Sequence, residues 1–458
     1  MRLDPPAKIS YCDAAATPAA RIILDVLGAS LLEGKCVERE TKRALRAGTS
    51  SGALASNELR SAASTLTYGV VSLRGRLQHL LPADDAAPPR ARHACLAAAY
   101  LLHERRGRAT RSIGPESLGL DGRTLRALRT ADVRLLGGLD VAARHSLPAP
   151  LVDAWSAQLP PAEVEALAAT CNVPGPVTLR ANVARTSATA LSAALRRRGF
   201  ACAADGALSP WAVAVRGGRA DWPCSLWSLN EWQDGSFEVQ DEGSQFVALA
   251  TEAARGERVL DLCAGNGGKS VAIAGMVGDL GHVFAYDVEV KRLEQLRAAA
   301  VRAGVGEHVT ALGSAAAVTS HAPYDVVLVD APCSSSGTIR RHPGLRWAWQ
   351  EGSDAGLDEV GRWRSTAAAD FPALQRSLCA QALSLARPNG GRVVYATCSL
   401  EREQNDDVAD AVEAAGGMRP WEFARPPAGA VGAAAHRVTL WPHRHGCDGF
   451  FVARWRRG

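Results

Sequence analysis

The sequence predicts an α/β protein: a parallel sheet in the carboxyl-terminal half, preceded by a small α/β module and an all-helical front region. Three observations predict it. After residue 235, short apolar runs ending in Asp or Cys alternate with helical segments, and that alternation implies a parallel sheet. Apolar residues recur every three to four positions through much of the first 150 residues, the helical period. The chain is 458 residues long, which at roughly 150 residues per domain suggests about three domains. The boundaries read as 1–150, 151–234 and 235–458.

In the front region the helical spacing runs over 17–34, 57–81 and 90–104, with a Pro/Ala/Asp loop at 82–90 and a Gly/Pro-rich end at 137–150. Composition favours a solvated surface over a nucleic-acid patch for the arginine cluster at 105–111. In the middle module a helix over 162–170 precedes PVTLRAN at 176–182, which reads as a strand, then a helix over 188–198 and strand-like residues at 211–215. In the last region strands are expected at 259–263, 282–286, 324–329 and 391–396. Ligands of such sheets lie beyond the carboxyl ends of the strands. Asp261, Asp287, Asp330 and Cys398 all fall there.

Composition excludes several classes. Hydrophobic residues make up 47% and charged residues 22%, ordinary globular values. The net charge of +5 permits a nucleic-acid partner without requiring one. No charge-free apolar run reaches ~18 residues, so no membrane span is expected, and no secretory signal is visible. A cytoplasmic location follows as the expectation, or a nucleolar or organellar one if the source is eukaryotic. The 11 cysteines include no C-x-x-C pair, which argues against zinc ribbons and disulfide frameworks. His443, His445 and Cys447 offer only three soft ligands in one loop, and no metal is expected.

The turn after the first strand is Asp261-Leu-Cys-Ala-Gly-Asn-Gly-Gly-Lys-Ser270. A phosphate loop of the G-x-x-x-x-G-K-[ST] type fails, because Cys263 occupies its first glycine. A dinucleotide turn fits roughly through Gly265, Gly267 and Ser270. Asp287 is placed to accept from a ribose diol. That arrangement suits S-adenosylmethionine as well as NAD.

Two cysteines end neighbouring strands: Cys333 in Asp330-Ala-Pro-Cys and Cys398 in Thr-Cys-Ser. Methylation at C5 of a pyrimidine needs a nucleophile, since C5 is not electron-rich enough unaided. A thiolate adding to C6 makes C5 enamine-like, and a base then removes the C5 proton so that the thiol can leave. A carboxyl near N3 stabilises the adduct. Cysteine, carboxylic acid and sulfonium donor are therefore required together, and the strand ends supply the first two beside a cofactor-type turn.

On these motifs, together with VQDEGSQ at 239–245, DAPCSSSGTIRRHP at 330–343, ATCS at 396–399 and DGFF at 448–451, the chain resembles the RNA 5-methylcytosine methyltransferases of the NOL1/NOP2/Sun group from about residue 174 to 457. The resemblance implies a Rossmann-like S-adenosylmethionine-dependent methyltransferase domain, an RRM-like α/β module, and a NusB-like helical front as in the bacterial small-subunit ribosomal RNA branch. It implies Cys398 as nucleophile, Cys333 as the residue assisting product release, and Asp330 as the cytosine contact beside the cofactor. The turn Cys263, Ala264, Gly265, Asn266, Gly267, Gly268, Lys269 would hold the methionine moiety, and Asp287 the ribose. Gly265-Asn266 stand where the family has Ala-Pro, and Gly344 where it tends to an acidic residue. Ser314 stands where an acidic residue meets the adenine edge, and its hydroxyl can still hydrogen-bond.

The target carbon is hidden in stacked RNA, so an unstacked or extruded cytidine is expected. Arg340 and Arg341, and Arg180 and Asn182 of PVTLRAN, are the expected RNA contacts; Trp347 is the expected base-stacking residue, and Gln240–Gln245 reads equally as a helix cap or a substrate contact. The expected partner is RNA, ribosomal before transfer RNA, bound by a monomer. A nicotinamide dehydrogenase would leave the two cysteines without a purpose. A ribosome-assembly factor without turnover is the alternative outside enzymes.

Overall fold

The computed structural model describes residues 9–31, 37–82, 84, 86–104, 112–217, 221–349, 370–430 and 434–458. The arginine cluster at 105–111 and the side chain of Trp347 lie outside the described residues. The chain forms two compact units, one of Met1–Val173 with Ile339–Ala368, the other of Pro174–Thr338 with Ala369–Gly458. No described helix is long and apolar enough to cross a membrane.

Among its described residues the first unit is helical apart from one antiparallel pair, β1 (Tyr11–Ala16) with β2 (Leu118–Leu120). Its longest described helix, Asn57–Gln78, starts where the Ser56 hydroxyl accepts from Leu59 N at 3.1 Å, an N-cap that satisfies an otherwise orphan donor. Leu66, Val70, Leu73 and Leu77 form its buried stripe, at the helical spacing of four, three and four. The helices Ala149–Ser156 and Pro161–Thr170 belong to this unit, burying Leu151, Trp155, Val164 and Leu167. Apolar spacing shows that a helix is amphipathic, but not which core it joins.

The short turn Pro343–Trp349 also belongs to this unit. Its Arg346 is fully buried. The guanidinium donates to the Ser72 carbonyl, to Cys171 O at 3.2 Å and to Asn172 Oδ1 at 2.9 Å. Burial pulls its pKa down to about 10. Burying a cation costs less when its donors are met, and here carbonyl oxygens and the Asn172 amide take the Nη donors while Nε has no partner among the described residues.

In the second unit, β3 (Val177–Ala181), β4 (Cys202–Ala203), β5 (Ala212–Val215) and β6 (Phe237–Val239) form an antiparallel sheet in the order β4-β5-β3-β6. The helix Ala188–Arg197 covers one face through Leu191 and Leu195, against Leu179, Val213 and Phe237. Because β6 pairs with β3, this small sheet extends past the expected boundary at 234.

The large sheet contains β7 (Arg258–Asp261), β8 (His282–Tyr286), β9 (Val309–Leu312), β10 (Val326–Asp330), β11 (Arg392–Thr397), β12 (Met418–Pro420), β13 (Arg437–Leu440) and β14 (Phe450–Arg457). The order is β12-β14-β11-β10-β7-β8-β9, with β13 also on β14. Strands β11 through β9 in that order are mutually parallel, and β14 runs antiparallel to β11. Alternate residues feed two cores. Val326, Leu328, Val394 and Ala396 point into one, while Val327, Val329, Val393 and Tyr395 point into the other. Strands buried on both faces read as continuous apolar runs, which is why VVLVD and VVYAT were visible in the sequence. The sheet reverses direction between β8-β7 and β7-β10, and the crevice at such a switch point is where ligands bind.

Candidate active site

The glycine turn leaves β7 at Asp261 and enters the helix Gly268–Val277. Gly267 has φ 84° and a side chain there would meet Leu296 at 2.4 Å, so only glycine fits. Gly265 has φ 54° and open space where a side chain would stand. Its N–H donates to Asp287 Oδ2 at 2.8 Å, and Glu289 N donates to Asp287 Oδ1 at 2.8 Å. Asp287 is buried, and its Oδ2 also faces the Arg292 guanidinium at 3.7 Å, while Oδ1 keeps a further acceptor position.

Asp261 is buried, with Oδ2 accepting from Ser270 Oγ at 2.7 Å and Oδ1 lacking a hydrogen-bond partner. Burial pushes its carboxyl up to about 7, against the Ser270 bond. Raised above the ordinary value of 3.8, such a group contributes stability below about pH 4, and that stability is lost as pH rises toward 7. Wild type is therefore expected to lose up to about 4 kcal/mol relative to Asp261→Asn between pH 4 and 7. Urea midpoints of both proteins at several pH values check this, and a gap independent of pH would show the carboxyl to be ionised throughout.

The carboxyl ends of β10 and β11, which are adjacent strands, bring together the expected reactive residues. Cys333 Sγ and Cys398 Sγ lie 3.4 Å apart. Lys269 Nζ donates to Asp330 Oδ2 at 2.6 Å. Burial opposes the Lys269 ammonium, but Asp330 more than offsets it and the net shift is upward. The two thiols diverge. Hydrogen bonding from Cys333 holds Cys398 below the ordinary thiol range, against desolvation, with Ser335 and then the Lys269 charge adding to the effect. Cys333 is pushed well above that range, first by the same bond and then by burial. Cys398, half-buried, thus ionises more readily than the buried thiol beside it.

A second layer escaped the sequence reading. The buried Glu401 carboxylate accepts from Ser334 Oγ at 2.6 Å, Ser336 Oγ at 2.8 Å and Ser399 Oγ. Gln404 Oε1 accepts from Ser334 N at 2.8 Å, and Asn405 Nδ2 donates to Ser399 O at 3.0 Å. These bonds tie the loop after Cys333 to the loop after Cys398. Ser-Ser-Ser directly after the first cysteine and Glu401 three residues after the second were the signals available.

Other expected residues sit elsewhere. Arg180 is a correction as an RNA contact: it is buried, donating to the Gly268 carbonyl and to Gln240 Oε1 at 2.5 Å. Alternation along β3 sends Leu179 to the helix-covered face, so Arg180 points the other way, onto the glycine turn. The amide of Asn182 is likewise used, donating to the carbonyls of Gly235 and Ala303 at 2.8 Å each. Ser314 Oγ caps the helix Ala315–Ser320 by accepting from Ala317 N at 3.2 Å, which leaves its O–H as a donor. Arg340 and Arg341 are partly exposed and fall in the first unit. Asp241 takes the capping role, accepting from Gly243 N at 2.9 Å.

A nucleoside sulfonium fits the donor set. Open space lies over Gly265, Asp287 offers acceptors of the kind a ribose diol needs, and the orphan Asp261 Oδ1 is a free acceptor near the same turn. Sheet order, glycine turn and acidic strand ends together define a Rossmann-like fold of the kind methyltransferases use. Residues 248–456 match the family of the 16S rRNA methyltransferase RsmB/F, and residues 147–220 match the RsmF/B-like ferredoxin-like domain. The carboxyl-terminal part of the chain is thus similar to the RsmB/F methyltransferases, and the stretch before it to their ferredoxin-like domain. Ribosomal RNA small subunit methyltransferase B of Pseudomonas syringae is 35% identical over 239 residues, 51% of this chain and 50% of that protein. Ribosomal RNA small subunit methyltransferase F of Salmonella paratyphi A is 31% identical, covering 51% of this chain and 47% of that one. The chain thus spans about half the length of these curated relatives. The crystal structure of a methyltransferase homolog protein from Pyrococcus horikoshii shares the fold, with a TM-score of 0.54 at 24% identity over 68% of this chain and 100% of that one.

Proposed function

We propose that this chain methylates C5 of a cytidine in small-subunit ribosomal RNA through a covalent adduct on Cys398. The observation that carries the reading is the sulfur pair, 3.4 Å apart at adjacent strand ends, with Cys398 held toward its thiolate. The turn from Cys263 to Lys269 and Asp287 would hold S-adenosylmethionine, which would supply an electrophilic methyl group. Cys398 Sγ uses its electron pair to bond C6, and the C5–C6 π pair moves to C5. Asp330, oriented by Lys269, contacts the polar edge of the cytosine and stabilises the adduct. The C5 pair would then bond the methyl carbon, the S–CH3 pair staying on the leaving thioether; the C5 proton is lost to solvent with Cys333 assisting, its pair re-forms the double bond, and the C6–S pair returns to Cys398. The relatives' names support ribosomal RNA as the substrate class. The helical unit reads as the NusB-like RNA-binding domain, with Arg340 and Arg341 as phosphate contacts.

The test is transfer of labelled methyl from S-adenosylmethionine to purified small-subunit ribosomal RNA, with bisulfite mapping of the product. One modified cytidine in that RNA is the expected result. Modification confined to transfer RNA would replace the substrate, and binding of RNA without any transfer would replace the enzyme by an assembly factor.

A further inference from the structure

We propose that Ser335 is a further catalytic residue, whose hydroxyl donates to the Cys398 sulfur once that sulfur is ionised and keeps it in its attacking form. The inference rests on the reading of Cys398 as the nucleophile and adds to it the group that stabilises the charge. Ser335 Oγ lies 3.3 Å from Cys398 Sγ and 4.0 Å from Cys333 Sγ, so the shorter contact is to the nucleophile. Its two neighbours do something else: Ser334 and Ser336 both give their hydroxyls to Glu401. Ser335 alone of the three turns toward the sulfurs. It does so on a backbone with φ 55°, a left-handed conformation uncommon for a residue with a side chain. Such a conformation persists where the surroundings over-determine it. Here the flanking bonds to Glu401, and Thr338 N donating to Ser335 O at 2.8 Å, hold it.

The chemistry follows from the placement. A thiolate is a diffuse anion, and a hydroxyl donor aimed at it favours the ionised over the protonated form. In the neutral thiol Cys398 Sγ–H donates to Ser335 Oγ; once that proton passes to solvent, the hydroxyl rotates and donates to the charged sulfur. The contact acts in the same direction as the larger effect of the Cys333 S–H on Cys398. Ser335 is half-buried, so solvent still reaches the pair.

The experiment uses the full chain without RNA or methyl donor. Iodoacetamide alkylation is followed across pH and resolved by peptide mass, comparing wild type with Ser335→Ala and Ser335→Gly. The glycine variant also relieves the left-handed backbone, so a folding defect cannot account for its behaviour. Both variants are expected to raise the alkylation midpoint of Cys398 by about one pH unit, slowing its alkylation about tenfold at neutral pH. Unshifted midpoints in both variants would overturn the role of Ser335 and leave Cys398 as nucleophile. A wild-type Cys398 that reacts no faster at neutral pH than the exposed Cys12 and Cys224 would overturn the nucleophile reading itself.

Discussion

Cys398→Ala is expected to lower methyl transfer by about 10⁴-fold or more, the scale on which covalent nucleophiles fail when deleted. The size follows from the substrate: without a sulfur at C6, C5 keeps its aromatic electron density and has no pair to offer. The change removes one sulfur from a half-buried position, and the backbone bond from Gly337 N to Cys398 O, 2.9 Å long, is untouched. Circular dichroism and the thermal midpoint should therefore stay near wild type while labelled methyl disappears from the RNA. Transfer that survives within tenfold of wild type would mean that the other sulfur, or none, makes the adduct.

Cys333→Ala should have the opposite signature. Addition and methylation proceed, elimination stalls, and enzyme accumulates on RNA as a denaturant-stable complex. A second effect accompanies it. The largest influence lowering the Cys398 pKa is the hydrogen bond from Cys333, so losing that thiol lets the nucleophile's pKa rise. The adduct is expected to form slowly at neutral pH and faster as pH rises toward 9, near the ordinary thiol value. Gel shifts under denaturing conditions, run as a pH series, separate the two effects. Absence of any stable complex at either pH would remove Cys333 from the elimination step.

The parts of the fold legible in the sequence were those whose physics leaves a one-dimensional trace. Strands β7, β8, β10 and β11 are buried on both faces and read as apolar runs. The carboxyl-terminal strands did not, because β14 carries Arg454, fully buried and bonded to Glu252 Oε1 at 2.6 Å and to the Trp421 carbonyl at 3.2 Å. A charge in mid-strand breaks the apolar pattern, although its own bonds make the burial possible. Arg180 misled in the same way: arginine is mostly a surface residue, and only the pairing of β3 shows that it faces the glycine turn. Cys333, Cys398, Asp330 and Asp287 could be placed because their motifs fix them at strand ends. Ser335 and Glu401 could not, since a serine at a strand end says nothing of which way its hydroxyl points until the neighbouring loop is in view.

Arg346 has a consequence for how this protein can be taken apart. The helical unit is completed by a stretch of chain that arrives after the Pro-Cys loop, so the path leaves one unit at 338 and re-enters it at 369. A fragment cut at 173 would lose the guanidinium and leave the carbonyls of Ser72 and Cys171 facing an empty slot. The piece left behind would carry an arginine deprived of its acceptors. Swapping the front unit between relatives thus requires grafting two separate stretches together, and natural recombination at a single crossover would produce chains that cannot close either half.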